Sequence, residues 1–139
     1  MKDLLESICE KARRQGATFA DARAFESAST GITRQDGRSD KLNQGTSSGL
    51  GIRVLKDHAW GFASVSETDR DSAFEALDAA VSMAQASSAR SETAVVAEIA
   101  PVRDTVRAEV AIDPRSVGVE RKMVALQGYE QAAVAAVGD

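Results

Sequence analysis

The chain has 139 residues, 43% hydrophobic and 27% charged, the proportions of an ordinary globular domain with enough chain for one proper core. Its 17 basic and 21 acidic residues leave a net charge of −4, so no global field draws it to nucleic acid. It holds no 18-residue apolar run to cross a membrane. A lone cysteine, Cys9, excludes an internal disulfide and suits a reducing, cytoplasmic setting.

In chain order, Asp3 with Glu6 reads as a capping box, and Leu5, Ile8, Cys9 and Ala12 recur at helical spacing broken by charges, unlike a signal peptide. Gly16, after Arg13 and Arg14, can close this helix in a left-handed cap. Residues 21–34 read as a strand, with Thr30, Ile32 and Thr33 favouring extended backbone. Asp36-Gly37 offers the positive φ angles of a type I′ turn, from which residues 38–46 return as a second strand. Residues 49–56 and 59–66 form the third and fourth, joined by the two-residue turn Asp57-His58. Thr68 or Asp69 then caps a helix with Phe74, Leu77, Val81 and Ala84 along one stripe, ending near residue 86. The expected fold class is α+β, a four-stranded antiparallel sheet flanked by two helices in the order α-β-β-β-β-α.

Residues 87–91 are small, polar and aperiodic, and mark a boundary. Residues 1–88 are therefore expected to form an amino-terminal domain, and 89–139 a linker, an extended segment and a carboxy-terminal helix. Val106, Ala108, Val110 and Ile112 alternate with polar residues until Asp113-Pro114 stops the run. Gly118 can cap a helix from Val119 whose Met123, Leu126, Ala133 and Val137 share a face, although Gly128 weakens its interior. The closing Val137-Gly138-Asp139 is a turn signal with nothing after it, as in a fragment, a frayed natural terminus being the other reading.

The Asp57-His58 turn also sorts the sheet's faces. It pairs Leu55 with Trp60, Val54 with Gly61, Arg53 with Phe62 and Ile52 with Ala63. Leu50, Ile52, Val54, Ala63 and Val65 then share one face, where Gly61 and Ala63 leave room for a closely pressed helix. Arg53, Leu55, Trp60 and Phe62 share the other. Two helices packed together cover one side of a sheet, so this second face is a candidate interface. An equally open reading folds the run from Val106 to Ile112 back over it.

Nothing in the chain assembles a catalytic or metal site. His58, the single histidine, suits a turn that needs positive φ, and with Cys9 it cannot supply the three or four ligands of zinc. Cys9 has the spacing of a small buried hydrophobe and lacks a general base. Gly45-Thr46-Ser47-Ser48-Gly49-Leu50-Gly51 leads into a strand, not a helix, so it reads as a connection or bulge rather than a phosphate cradle. Asp36, Asp40, Asp57, Glu67, Asp69 and Asp71 fall where turns and caps use carboxylates. Arg34, Arg38, Lys41, Arg53 and Lys56 read as a solvated strand face, or as contacts for an acidic partner. No catalytic, cofactor-binding or metal-binding residue is assigned. The candidate interface residues are Arg53, Leu55, Trp60 and Phe62.

Four short motifs occur in a telling order: Phe19-Ala20-Asp21-Ala22-Arg23, Arg34-Gln35-Asp36-Gly37-Arg38, Gly49-Leu50-Gly51-Ile52-Arg53-Val54 and Trp60-Gly61-Phe62-Ala63. Together they resemble the amino-terminal domain of the TldD/PmbA metallopeptidase family, the modulators of DNA gyrase. Asp113-Pro114 and Glu120-Arg121-Lys122 are similar, less specifically, to the start of that family's middle region. His58 departs from the pattern where a glycine is common. The resemblance implies a cytoplasmic zinc metallopeptidase, homodimeric or heterodimeric, that degrades or trims peptides and unfolded segments. The family's zinc is held by a His-Glu-x-x-x-His helix and a distant cysteine. No such motif occurs here, so zinc is expected in the full-length protein and not in this chain. The expected role is a non-catalytic amino-terminal portion that helps shape the substrate chamber and dimer. Its partners would be the remaining domains, a second subunit and a peptide, with neither nucleic acid nor membrane. The alternative is a self-contained interaction module.

Overall fold

The structure is a computed structural model that describes residues 1–90, 94, 96–97, 99–100 and 102–137. Its elements are α1 (Lys2–Arg14), β1 (Phe19–Gln35), β2 (Arg38–Lys56), β3 (Ala59–Val65), α2 (Arg70–Ser87) and α3 (Val119–Val137), with short 3-10 turns at Ser88–Arg90 and Pro114–Ser116. The strands form one sheet in the order β1-β2-β3. The chain divides into two compact units, residues 1–27 with 47–100 and residues 28–46 with 101–139.

In the first unit α1 starts earlier than its sequence suggests. Lys2 is already helical and Met1 is the N-cap, so the expected Asp3–Glu6 capping box does not form. Asp3 lies instead in the first turn, where its charge faces the positive end of the helix dipole. The far end closes as expected. Gly16 takes φ +86°, its N–H bonds the Arg13 carbonyl, and the Ala17 N–H bonds the Ala12 carbonyl.

Asp57 (φ 50°) and His58 (φ 67°) make the tight turn, and the register is the one their position predicts, from Leu55 opposite Trp60 to Leu50 opposite Val65. Leu50, Ile52 and Val54 are thereby buried against Ile8 and Ala12 of α1 and Ala73, Leu77, Ala80 and Ala84 of α2. Small residues set the closeness of this packing. A Cβ on Gly61 would collide with the Ala80 carbonyl, so α2 lies on the backbone of β3 itself. Asp69 starts α2 by accepting the Asp71 and Ser72 N–H groups at 3.0 Å each. Asp78 ties the helices together, accepting from Lys11 at 3.0 Å and Gln15 at 2.7 Å.

Among the described residues the sheet has three strands where four were expected. β2 continues from Arg38 to Lys56 through Gly45 and Gly51, the stretch expected to interrupt it. None of Gly45, Gly49 and Gly51 takes a positive φ. The Phe25 ring of β1 lies over Gly49, filling the space its missing side chain leaves. Cross-strand pairing thus outweighs weak strand propensity.

In the second unit, Asp36 (φ 51°) and Gly37 (φ 73°) make the expected turn between β1 and β2. The alternating run after residue 105 forms no strand; Val106 is 89% exposed and lacks the ladder that extended backbone requires. Asp113 caps the following 3-10 turn and accepts from the Arg115 guanidinium, which holds its carboxyl down at about 2. α3 passes through Gly128 without a break and buries no residue fully.

Candidate functional site

The sheet face opposite α2 carries the chain's single tryptophan, and period-2 alternation builds the site around it. Arg53 on β2 and Trp60 and Phe62 on β3 project together, as expected. β1 adds Phe19 and Asp21. The Arg53 guanidinium lies 5.0 Å from the Trp60 ring centre and 5.7 Å from that of Phe19. Its Nη2 donates to Asp21 Oδ2 at 2.8 Å, and Asp21 also accepts from Arg23. Phe19 meets Trp60 edge-on at 5.7 Å, and Phe62 stacks beside Trp60 at 6.3 Å.

The cluster is not uniformly open. Leu55 is only 4% exposed, so its side chain is already covered within the chain. Trp60 is half-buried and Phe62 is 54% exposed. Beside Phe62 runs an open groove of about 470 Å³ bordered by Asp21, Arg23, Arg53 and Ser64. Aromatic faces with a rigidly paired guanidinium can bind apolar and planar groups. Asp21, the one carboxylate in the cluster, is engaged by Arg53 and Arg23.

Phe19 and Asp21 were missed in the sequence because the alanines around them blur the strand's alternation. Their signal was present, since Phe19 and Asp21 are two apart at the entry to β1. The basic strand residues behave differently from a solvated face. Arg34 is 10% exposed and pairs with Glu130 at 2.7 Å, while Lys56 donates to the Gln15 carbonyl at the end of α1 at 2.5 Å. Arg38 and Lys41 remain exposed.

His58 is exposed in its turn, and its carbonyl accepts from the Ala94 N–H. Cys9 sits against the Ala20 carbonyl, and burial pushes its thiol above the usual value, which disfavours the reactive thiolate. Among the described residues no three His, Cys, Asp or Glu side chains group as metal ligands. One histidine on a turn and one cysteine in a helix do not fit a zinc site.

Residues 20–84 match the family model of the PmbA/TldA metallopeptidase domain 1. A metalloprotease from Methanothermobacter thermautotrophicus is 40% identical over 52 residues, 37% of this chain and 12% of that protein. Another, from Methanocaldococcus jannaschii, is 27% identical over 105 residues, 75% of this chain and 23% of that protein. The fold is similar to that of TldE from Thermococcus kodakarensis, with a TM-score of 0.66 and 15% identity over 78% of this chain and 24% of that one. It is also similar to a Thermotoga maritima protein described as a modulator of a DNA gyrase, with a TM-score of 0.60 and 16% identity over 88% of this chain and 27% of that one. Residues 20–84 thus carry the first domain of the TldD/PmbA metallopeptidase family. The chain spans about a quarter or less of the length of these relatives.

Proposed function

We propose that this chain is the non-catalytic amino-terminal portion of a TldD/PmbA-like zinc metallopeptidase acting on peptides in the cytoplasm, and that it serves chamber and dimer assembly. The match of residues 20–84 to the family's first domain carries this reading. The surface formed by Arg53, Trp60 and Phe62 supports it, because a half-open aromatic cluster is what a contact with further domains or a second subunit would bury. Zinc belongs to residues outside this chain, since its own donors do not fit the metal.

The test has two arms. The natural reading frame should continue with a His-Glu-x-x-x-His sequence, and a stop codon after Asp139 would favour a self-contained interaction module instead. In the complete protein, Trp60→Ser should weaken assembly, read by analytical ultracentrifugation, more than it lowers the melting temperature of this portion alone. Unchanged assembly would remove the interface role.

A further inference from the structure

The β1–β2 turn carries a second, smaller site that the reading above does not use. Arg34 is held in place by its own hairpin, where Nη2 donates to the Gly37 carbonyl at 2.8 Å and Nη1 to Ser39 Oγ at 3.3 Å. Those bonds leave Arg34 Nε–H and the Gly37 N–H aimed at one carboxylate. Glu130 of α3 fills the position, accepting from Arg34 Nε at 2.7 Å with Oε2 and from the Gly37 N–H at 2.9 Å with Oε1. The two donors hold the Glu130 carboxyl below its usual range, Arg34 contributing first and Gly37 second.

Two features set this apart from a surface ion pair. Every donor lies within residues 34–39, on a turn whose positive φ angles at Asp36 and Gly37 point the Gly37 N–H outward, so the donors do not depend on α3 for their placement. The ligand, by contrast, comes from a helix that buries no residue fully and so has little apolar anchorage of its own. A groove of about 350 Å³, lined by Gln127, Gln131 and Val134 of α3, opens beside the pair. We propose that the β1–β2 turn is a carboxylate receptor, with Arg34 Nε–H and the Gly37 N–H as its donors, and that Glu130 is its internal ligand, which an external carboxylate displaces. The external group is either an acidic side chain or a free peptide carboxyl terminus.

Nuclear magnetic resonance of this 139-residue chain tests it, following the Gly37 amide and the Arg34 Nε–H. Glu130→Ala should move both resonances upfield while the amides of Ile8 and Leu77 stay in place, which shows the core intact. Sodium acetate, compared with sodium chloride at equal ionic strength, should then return them toward their original positions. The unmodified chain should need about tenfold more acetate, because a tethered carboxylate competes at high effective concentration. Acetyl-trialanine with a free carboxyl and acetyl-glutamate amide, each against acetyl-trialanine amide, separate the two sources, the stronger of the first two naming the natural one. Arg34→Lys in the Glu130→Ala background should abolish the response. The proposal fails if Glu130→Ala leaves the two resonances unmoved, if acetate acts equally on both chains, or if the neutral amide matches both carboxylate compounds.

Discussion

At the scale of single residues, Gly61 has the most demanding position. Any side chain there meets the Ala80 carbonyl, and backbone cannot move aside as a flexible side chain can. Gly61→Ala should therefore destabilise the chain by about 1–3 kcal/mol, as overpacking does. Gly45→Ala, where the added methyl meets nothing within 4 Å, is the control and should change stability by no more than about 0.5 kcal/mol. Urea unfolding followed by circular dichroism distinguishes them, and equal midpoints would mean that α2 does not rest on β3. Leu77, fully buried in the same layer, should lose about 2–5 kcal/mol on replacement by alanine. Trp60, half-buried beside exposed Phe62, should fluoresce to the red of a core tryptophan and be open to acrylamide. A blue-shifted emission that acrylamide cannot reach would remove its surface role.

At the scale of elements, α2 depends on its cap. The Asp69 carboxylate accepts the Ser72 and Asp71 N–H groups, which lower its pKa below the ordinary 3.8. A depressed folded-state pKa stabilises the fold above the unfolded value, and that contribution is lost as pH falls through the folded value. Asp69→Ala should hence melt at a lower temperature than the unmodified chain near neutral pH. The gap should close as the pH drops well below 3.8. A gap that persists undiminished in strong acid would show that the carboxylate's charge is not what starts the helix. The β1–β2 hairpin shows the limits of local reading at this scale. Its turn was legible because Asp36-Gly37 accepts positive φ at little cost. The continuity of β2 was not, because Gly45 and Gly51 favour a break unless a neighbouring strand supplies the ladder.

At the scale of the molecule, the purified chain should neither retain zinc after dialysis nor cleave casein or oligopeptides. Its single histidine and single cysteine cannot complete a ligand set. Stoichiometric zinc, or hydrolysis that a chelator blocks, would contradict this. We also propose that residues 1–88 unfold as one cooperative body, with first proteolytic cleavage at residues 87–91, where α2 ends. Early cleavage within residues 49–65 would place the boundary elsewhere.

The sequence by itself determined the features that a few neighbouring residues decide. These are the left-handed stop at Gly16, the two tight turns, the register from Leu55–Trp60 to Leu50–Val65, and the apolar stripe of α2. Turn geometry fixes register, and register fixes which side chains share a face, so the Asp57-His58 turn alone sets Arg53, Trp60 and Phe62 on one face. Only the tertiary structure brought Phe19 and Asp21 to that group, carried β2 through its glycines, and left the run from Val106 without a ladder. Only it joined Arg34 to Glu130, 96 residues away. Each of these depends on a partner far along the chain, and a hydrogen-bond ladder or a partly buried charge is stable only where that partner arrives.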